Sequence, residues 1–230
     1  MPSKQKTLLF LSGFVASIGS FALICTCLGT EEWVSTNINF IATNHSGYIN
    51  VKLGLFQGSF SKFVTAGAGL GKQPERFQVL QKLNGSGSII VTHILMILFQ
   101  ALSLLCTFMS SATTCLNSVS NPYVTFLGPL GVYIWVSISA VLILLTMILC
   151  AANMEINKLP KHLAEVLKNG PEDLTSTVNT YGYSFWLLLL SICLSIATII
   201  VIYYYQHARY SKKKEHERPL ENASKDVILF

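Results

Sequence analysis

Long apolar stretches alternate with polar segments along the chain and predict four membrane-spanning helices. The first stretch runs from Thr7 to Thr30, which satisfies the roughly 20 apolar residues that a helix needs to cross a bilayer. The second runs from Leu83 to Met154 without an Asp, Glu, Lys or Arg, and it divides at a polar, proline-containing segment, 117–129. We therefore predict spans at residues 7–30, 89–116, 130–153 and 183–205.

Basic residues at both ends of the chain predict its orientation. Lys4 and Lys6 precede the first span, and a cluster follows the last one: Arg209, Lys212, Lys213, Lys214 and Arg218. Such residues favour the cytosolic side, and an even number of spans puts both termini on one side. We therefore expect cytosolic segments at 1–6, 117–129 and 206–230, and outer or luminal loops at 31–88 and 154–182.

The first span has a second interpretation, as a cleaved signal peptide. Its length and the lack of a small-residue cleavage site before polar sequence favour a retained span. Ala16, Ser17 and Ser20 keep the alternative open.

Alternating positions in the first outer loop predict strands. After Trp33, the apolar or β-branched residues Val34, Thr36, Ile38 and Phe40 alternate with polar ones, and the alternation returns at 49–53. The intervening segment 44–47 has the composition of a turn. The predicted fold class is therefore an all-α membrane protein, a four-transmembrane-helix bundle with a small extracellular β-sheet in the first outer loop. Continuous apolar spans exclude a transmembrane β-barrel.

The second outer loop has apolar residues at helical spacing between Ile156 and Leu167. This pattern predicts an amphipathic extension of the third helix. Packing of that helix against the outer sheet is favoured over partner binding.

Small residues in two spans predict helix contacts, because close packing of small side chains drives helix association in lipid. They are Ser12, Gly13, Ala16, Ser17 and Ser20 on the first span, and Ser191 and Ser195 on the fourth. The alternative is that such residues are simply common in membrane helices.

Composition agrees with a membrane protein. Charged residues make up 12% of the 230 residues and hydrophobic ones 51%, far from the roughly 25% charged of a soluble domain. The net charge of +5 comes without a broad basic face, so no nucleic-acid partner is expected. No catalytic or metal-binding motif is present, and His93 is the only ionisable residue expected within a span, where an interfacial or hydrogen-bonded role is favoured. No cofactor is expected.

Modification motifs lie in the predicted loops and at one helix end. Asn44 and Asn84 begin luminal N-glycosylation motifs, and the first is favoured because it lies on a turn away from the membrane. Cys115, at the cytosolic end of the second span, is a candidate for palmitoylation, with a small buried hydrophobe as the alternative.

The end of the chain suggests two contacts. Arg209, Lys212, Lys213 and Lys214 lie where an anionic leaflet attracts basic residues. Ile228 and Phe230 alternate as in a terminal peptide that binds a PDZ-type domain, with membrane contact or no role as alternatives.

Several short motifs occur in order along nearly the whole chain. They are Trp33 after the first span, Gly54-Leu55-Phe56 in the outer loop, Gly128-Pro129 before the third span, and Ser184-Phe185-Trp186 at the start of the fourth. Together they resemble the clarin family within the claudin-like tetraspan superfamily. The segment 121–123 and the ending look closest to the third branch of that family.

The resemblance also shows one departure. Other members have two cysteines that pair across the outer sheet, and the corresponding positions here are Phe40 and Ala68. This sheet therefore has no disulfide of the kind that typically contributes about 2–4 kcal/mol.

The resemblance implies a non-catalytic tetraspan organiser of membrane assemblies, in a family linked to hearing. A channel or transporter subunit is the alternative, and a membrane enzyme ranks third. The expected partners are the lipid bilayer, other membrane proteins or a second copy, and a PDZ-type cytosolic protein. The expected location is the plasma membrane, reached through the secretory pathway.

Overall fold

Four long helices form the body of the molecule. The computed structural model describes residues 4–42, 46–65, 73–119, 128–168 and 173–226. Each long helix contains an apolar stretch long enough to cross a membrane, and α1 packs against α3 and α6 while α4 packs against the same two helices. The predicted fold class is confirmed. The helices are α1 (Lys4–Gly29), α3 (Gly87–Val119), α4 (Pro129–Glu155) and α6 (Tyr183–Asp226).

A five-stranded antiparallel sheet lies at one end of the bundle, in the order β4-β3-β2-β1-β5. A short helix, α2 (Val79–Lys82), leads from β4 towards α3. The strands are β1 (Val34–Ile41), β2 (Ser46–Leu53), β3 (Gln57–Val64), β4 (Glu75–Gln78) and β5 (Asp173–Tyr181).

The predicted alternation in β1 and β2 matches the burial of their side chains. Val34, Thr36, Ile38 and Phe40 are buried, whereas the residues between them are partly or fully exposed. Their buried faces join the apolar cluster that also contains Ile24 and other residues of the helix ends. One face of the sheet is therefore part of the protein core, and the other faces solvent.

The second outer loop contributes more to the sheet than its sequence indicated. Its residues Asp173–Tyr181 form β5, which pairs with β1, so the sheet is not confined to the first loop. The predicted extension of the third helix is wrong: α4 ends at Glu155, and a separate helix, α5 (Leu159–Leu167), follows. The chain turns at Lys158, whose φ of 51° is left-handed. As predicted, α5 packs on the sheet, against β2.

The last helix is much longer than its apolar part. The stretch that is apolar enough to span a membrane ends at Ala208, but α6 continues to Asp226. The basic cluster therefore lies on the same helix as the fourth span.

Phe40 occupies one of the positions where the family resemblance implied a missing cysteine. It is buried and faces Gly47 on β2. A Cβ on Gly47 would lie 2.8 Å from the Phe40 ring and 2.0 Å from the Phe63 carbonyl oxygen. The ring thus fills the space that a side chain would occupy, so packing holds β1 on β2 here. All six cysteines, each within the described residues, are free.

Candidate functional site

Residues that are far apart in the sequence meet where the sheet joins the bundle. We call this place the sheet–bundle junction and define it by Trp33, Gly54, Leu55, His93 and Ser184. Four of these residues belong to the short motifs singled out in the sequence. The fifth, His93, is the ionisable residue of the second span. The junction therefore gathers motifs that local sequence patterns cannot connect.

Trp33 and Ser184 fasten the end of α1 to the start of α6. The Trp33 Nε1–H donates to the Cys27 carbonyl oxygen at 2.7 Å, which satisfies one of the carbonyls left without a partner at a helix end. The Ser184 and Thr30 hydroxyls lie 2.6 Å apart. The backbone N–H of Gly182 donates to the Trp33 carbonyl oxygen at 2.9 Å. These hydrogen bonds hold β5 and the start of α6 against the C-terminal end of α1.

Gly54 and Leu55 fasten the β2–β3 connection to the helices. A Cβ on Gly54 would lie 2.3 Å from the Thr30 carbonyl oxygen, so only glycine fits at this close backbone contact. The Leu55 carbonyl oxygen lies 2.8 Å from His93 Nε2. Because a carbonyl only accepts, the imidazole donates from Nε2. His93 is 2% exposed, and its hydrogen-bonded role, favoured from the sequence, is confirmed.

Two ion pairs and a tyrosine surround the junction. Lys52 Nζ lies 2.5 Å from Glu32 Oε1, whereas the contact of Arg76 with Glu31 is longer, at 3.7 Å. Exposed pairs of this kind contribute little, about 0–1 kcal/mol. Burial, followed by the nearby Glu155 carboxylate, raises the pKa of the Tyr181 phenol. Tyr181 therefore stays neutral at physiological pH.

Hydroxyl side chains connect the helices in the middle of the bundle. The Ser20 and Ser191 hydroxyls are 2.6 Å apart and join α1 to α6. Those of Thr107 and Ser139 are 2.7 Å apart and join α3 to α4. A cavity between the four helices leaves about 10 Å³ for the centre of a water-sized sphere, which is room for about one water molecule.

The predicted small-residue face lies largely inside the bundle. Gly13, Ser17, Ser20, Ser191 and Ser195 are buried, and Ala16 is half-buried. Ser12 is the exception, because it is exposed and its hydroxyl donates to the Leu9 carbonyl of its own helix at 2.9 Å. The prediction that Ser12 belongs to the packing face is therefore corrected.

Comparison with known proteins gives the family. A family model described as Clarin-2-like matches residues 4–202. The chain belongs to the clarin family. It is 44% identical to human (Homo sapiens) Clarin-3 over 230 residues and 43% identical to Clarin-3 from Mus musculus over 232 residues, in both cases across the full length of both proteins. It is 29% identical to human Clarin-1 over 198 residues, which cover 82% of this chain and 83% of that relative.

The remaining motif residues of this clarin lie away from the junction or at its edge. Gly128 and Pro129 form the start of α4, at the opposite end of the bundle. Phe185 packs on Tyr181 with ring centroids 4.6 Å apart, and Trp186 is exposed. Phe56 is also exposed, but its carbonyl oxygen accepts from the Val79 N–H at 3.0 Å.

The predicted modification and tail residues lie apart from the junction or outside the described residues. Asn84 is exposed in the turn before α3, and Cys115 is exposed near the end of α3. Asn44, Ala68, Ile228 and Phe230 lie outside the described residues. The basic residues Arg209, Lys212, Lys213 and Lys214 follow the apolar part of α6.

The sequence analysis did not identify Gln100, a buried polar residue of α3. Gln100 is fully buried, and its amide N and O lack hydrogen-bond partners among the described residues. Its spacing of seven residues from His93 on one helix was the signal that could have identified it. Within the described ranges no cluster of three or more His, Cys, Asp or Glu residues that could hold a metal ion is present.

Proposed function

We propose that this clarin is a non-catalytic organiser of membrane assemblies that works by presenting its outer sheet to other membrane proteins. The observation that carries the proposal is the sheet–bundle junction. Trp33 and His93 connect the residues flanking the strands to α1 and α3, and Ser184 joins the start of α6 to Thr30 at the end of α1. A sheet held at several helices keeps its surface in a fixed orientation above the membrane, which reduces the ordering cost of binding.

The solvent-facing side of the sheet supplies a surface suited to this role. It forms a groove of about 730 Å³ lined mainly by uncharged polar side chains, with the Tyr48 and Phe63 rings stacked 4.7 Å apart at one end. Amides and hydroxyls both donate and accept hydrogen bonds, so the groove suits the polar surface of another protein. The groove includes Asn37, Asn39, Asn50, Ser59 and Ser61.

The cytosolic side would supply the second contact. The basic residues after the apolar part of α6 favour an anionic leaflet, and the terminal Ile228 and Phe230 suit a PDZ-type domain. The assembly would then connect an outer partner to a cytosolic one at the plasma membrane, and the family's link to hearing makes sensory membranes a place to look for it. Adding one Gly after Phe230 should abolish PDZ binding, and unchanged binding would remove this part of the proposal.

Transport is the weaker candidate. Ionisable residues inside spans mark the pathways of channels and transporters. His93 is instead hydrogen-bonded to the Leu55 carbonyl, and the cavity between the four helices has room for about one water molecule. Neither observation favours conduction.

The organiser role is tested by proximity labelling in cells that express the protein. Ser61→Arg places a charge in the groove, and Gln81→Arg places the same charge on an exposed position of α2. We expect Ser61→Arg to remove specific neighbours and Gln81→Arg to leave the set unchanged. If both variants keep the wild-type neighbours, the groove is not the contact surface. Ion conductance by the pure protein in a planar bilayer would replace the organiser role with transport.

A further inference from the structure

A second cavity lies where the end of α4, the start of α5 and β5 meet. Its volume is about 270 Å³, slightly below the roughly 300–1,000 Å³ of pockets for drug-sized ligands. It is therefore suited to a small polar group. The side chains that matter here are Glu155, Lys158, Lys161, Thr175, Thr177 and Asn179.

The cavity combines a fixed negative charge with two positive ones. Asn179 Nδ2 donates to Glu155 Oε1 at 3.0 Å, and the Asn179 Oδ1 accepts from the Thr36 hydroxyl at 2.9 Å. The carboxylate is thereby held against the sheet. Among the described residues, neither Lys158 nor Lys161 has a carboxylate within 4.0 Å. The two ammonium groups are thus available to a ligand.

The cavity lies at the end of the apolar stretch of α4, which is the level at which we expect the surface of the membrane. The apolar stretch of α4 ends at Glu155. The next residue, Ile156, is 77% exposed, and Ile148 within α4 is 54% exposed. Exposed apolar side chains thus precede and flank Glu155 in the chain. A ligand with an apolar part in the bilayer and a polar head at this level fits the arrangement.

We propose that this cavity binds the headgroup of a zwitterionic phospholipid, with phosphatidylcholine as the probe. The lipid phosphate contacts Lys158 and Lys161, and the Thr177 hydroxyl donates to one of its oxygens. The Thr175 hydroxyl already donates to the Asn39 carbonyl oxygen at 3.1 Å. The quaternary ammonium lies beside the Glu155 carboxylate, and the acyl chains extend into the bilayer along the apolar stretch of α4. The contacts of the two lysines with the phosphate are charge-assisted hydrogen bonds, which are stronger than neutral ones.

The charge pattern favours a zwitterion over other lipids. The anionic headgroup of phosphatidylglycerol would contact the two lysines through its phosphate, but it has no cation to place beside Glu155. Diacylglycerol would lack the phosphate and use neither lysine. The proposal goes beyond the organiser role, because it concerns a lipid site separate from the groove of the sheet, and each can fail without the other.

Native mass spectrometry of the full-length protein in a maltoside detergent tests the proposal by titration with each lipid. We expect phosphatidylcholine to bind about tenfold more tightly than diacylglycerol, which corresponds to about 1.4 kcal/mol. The double variant Lys158→Asn with Lys161→Gln should lose this difference. Asn is chosen at 158 because it tolerates the left-handed backbone found there. Glu155→Gln should weaken the binding of phosphatidylcholine several-fold, whereas phosphatidylglycerol should bind at least as tightly as before, because a repulsive charge is removed.

Lys82→Gln is the matched control, since Lys82 is an exposed lysine on α2 away from the cavity, and it should bind lipid like the wild type. Melting temperature confirms that each variant is folded. The proposal is overturned if the folded double variant keeps wild-type affinity for phosphatidylcholine. It is also overturned if Glu155→Gln changes nothing, or if inorganic phosphate alone binds as tightly as the lipid, which would assign the cavity to free phosphate.

Discussion

At the scale of single residues, the junction depends on two glycines that pack directly against the backbone of neighbouring residues. Gly54 lies against the backbone at the end of α1, and Gly182 lies equally close to Glu32, where a Cβ would be 2.1 Å from the carbonyl oxygen. Backbone atoms cannot swing aside as a flexible side chain does. Substitution at these positions therefore has to separate the sheet from the bundle.

Gly54→Ala should destabilise the protein by about 1–3 kcal/mol, the usual range for overpacking, because its Cβ would lie 2.3 Å from the Thr30 carbonyl oxygen. Gly29→Ala is the matched control, since a Cβ there meets nothing within 4 Å. Melting temperatures in detergent provide the comparison. Equal melting temperatures for the two variants would contradict the described junction.

His93 offers a test of a single hydrogen bond. His93→Phe removes the donor to the buried Leu55 carbonyl, and leaving such a group unsatisfied costs about 1–3 kcal/mol. His93→Gln should restore much of the loss, because its terminal amide can donate from a position near that of Nε2. The same melting assay measures both variants, and a Gln variant no more stable than the Phe variant would argue against the bond.

At the scale of elements, hydroxyl contacts and close packing hold the four helices together. Lipid is as apolar as the helix surfaces, so association rests on small residues that allow close approach. Ser20 and Ser191 meet between α1 and α6, and Ser17 and Ser110 lie 3.4 Å apart between α1 and α3. One face of α1 therefore contacts two neighbours.

Ser20→Leu should destabilise the bundle by about 1–3 kcal/mol, because Ser20 is 1% exposed and its hydroxyl lies 2.6 Å from that of Ser191. Ser12→Leu, on the exposed side of the same helix, should have little effect. Resistance to unfolding in increasing denaturing detergent compares the two. Comparable loss in both variants would mean that α1 is oriented differently.

The elements also show what the sequence could predict. β1 and β2 each have one buried and one exposed face. The alternation of apolar and polar residues in the sequence therefore predicts both strands. β5 is a half-exposed edge strand, and its pattern of burial does not alternate. Its partner, β1, is far away in the sequence, and so are the partners at the junction. Local patterns predict the four spans and the first hairpin, whereas these distant contacts depend on the three-dimensional fold.

At the scale of the whole molecule, four spans place both termini on one side of the membrane. Basic residues predict that this side is the cytosol. Epitope tags at the two ends should therefore stain only after the plasma membrane is permeabilised. Staining of either tag on intact cells would contradict this orientation.

The same predicted orientation places the two outer loops in the compartment where N-glycosylation takes place. Asn44→Gln should abolish an endoglycosidase-sensitive mobility shift, because Asn44 comes between β1 and β2 in the chain and is many residues from the predicted spans. Asn84→Gln should leave the shift unchanged, since Asn84 lies only three residues before α3 begins. A shift that persists in Asn44→Gln and disappears in Asn84→Gln would reverse this assignment.

The pairing of β1 with β5 has a consequence for how the protein is made. β1 and its neighbour β2 leave the ribosome early, but β5 follows only after α3, α4 and α5. Until then, the β1 edge that β5 later covers presents unpaired backbone groups, which are prone to association with other chains. A nascent chain arrested after α4 should therefore be held by chaperones in the compartment that receives the sheet. Synthesis of the chain far enough to expose β5 should release it, because β5 then covers the open edge of β1.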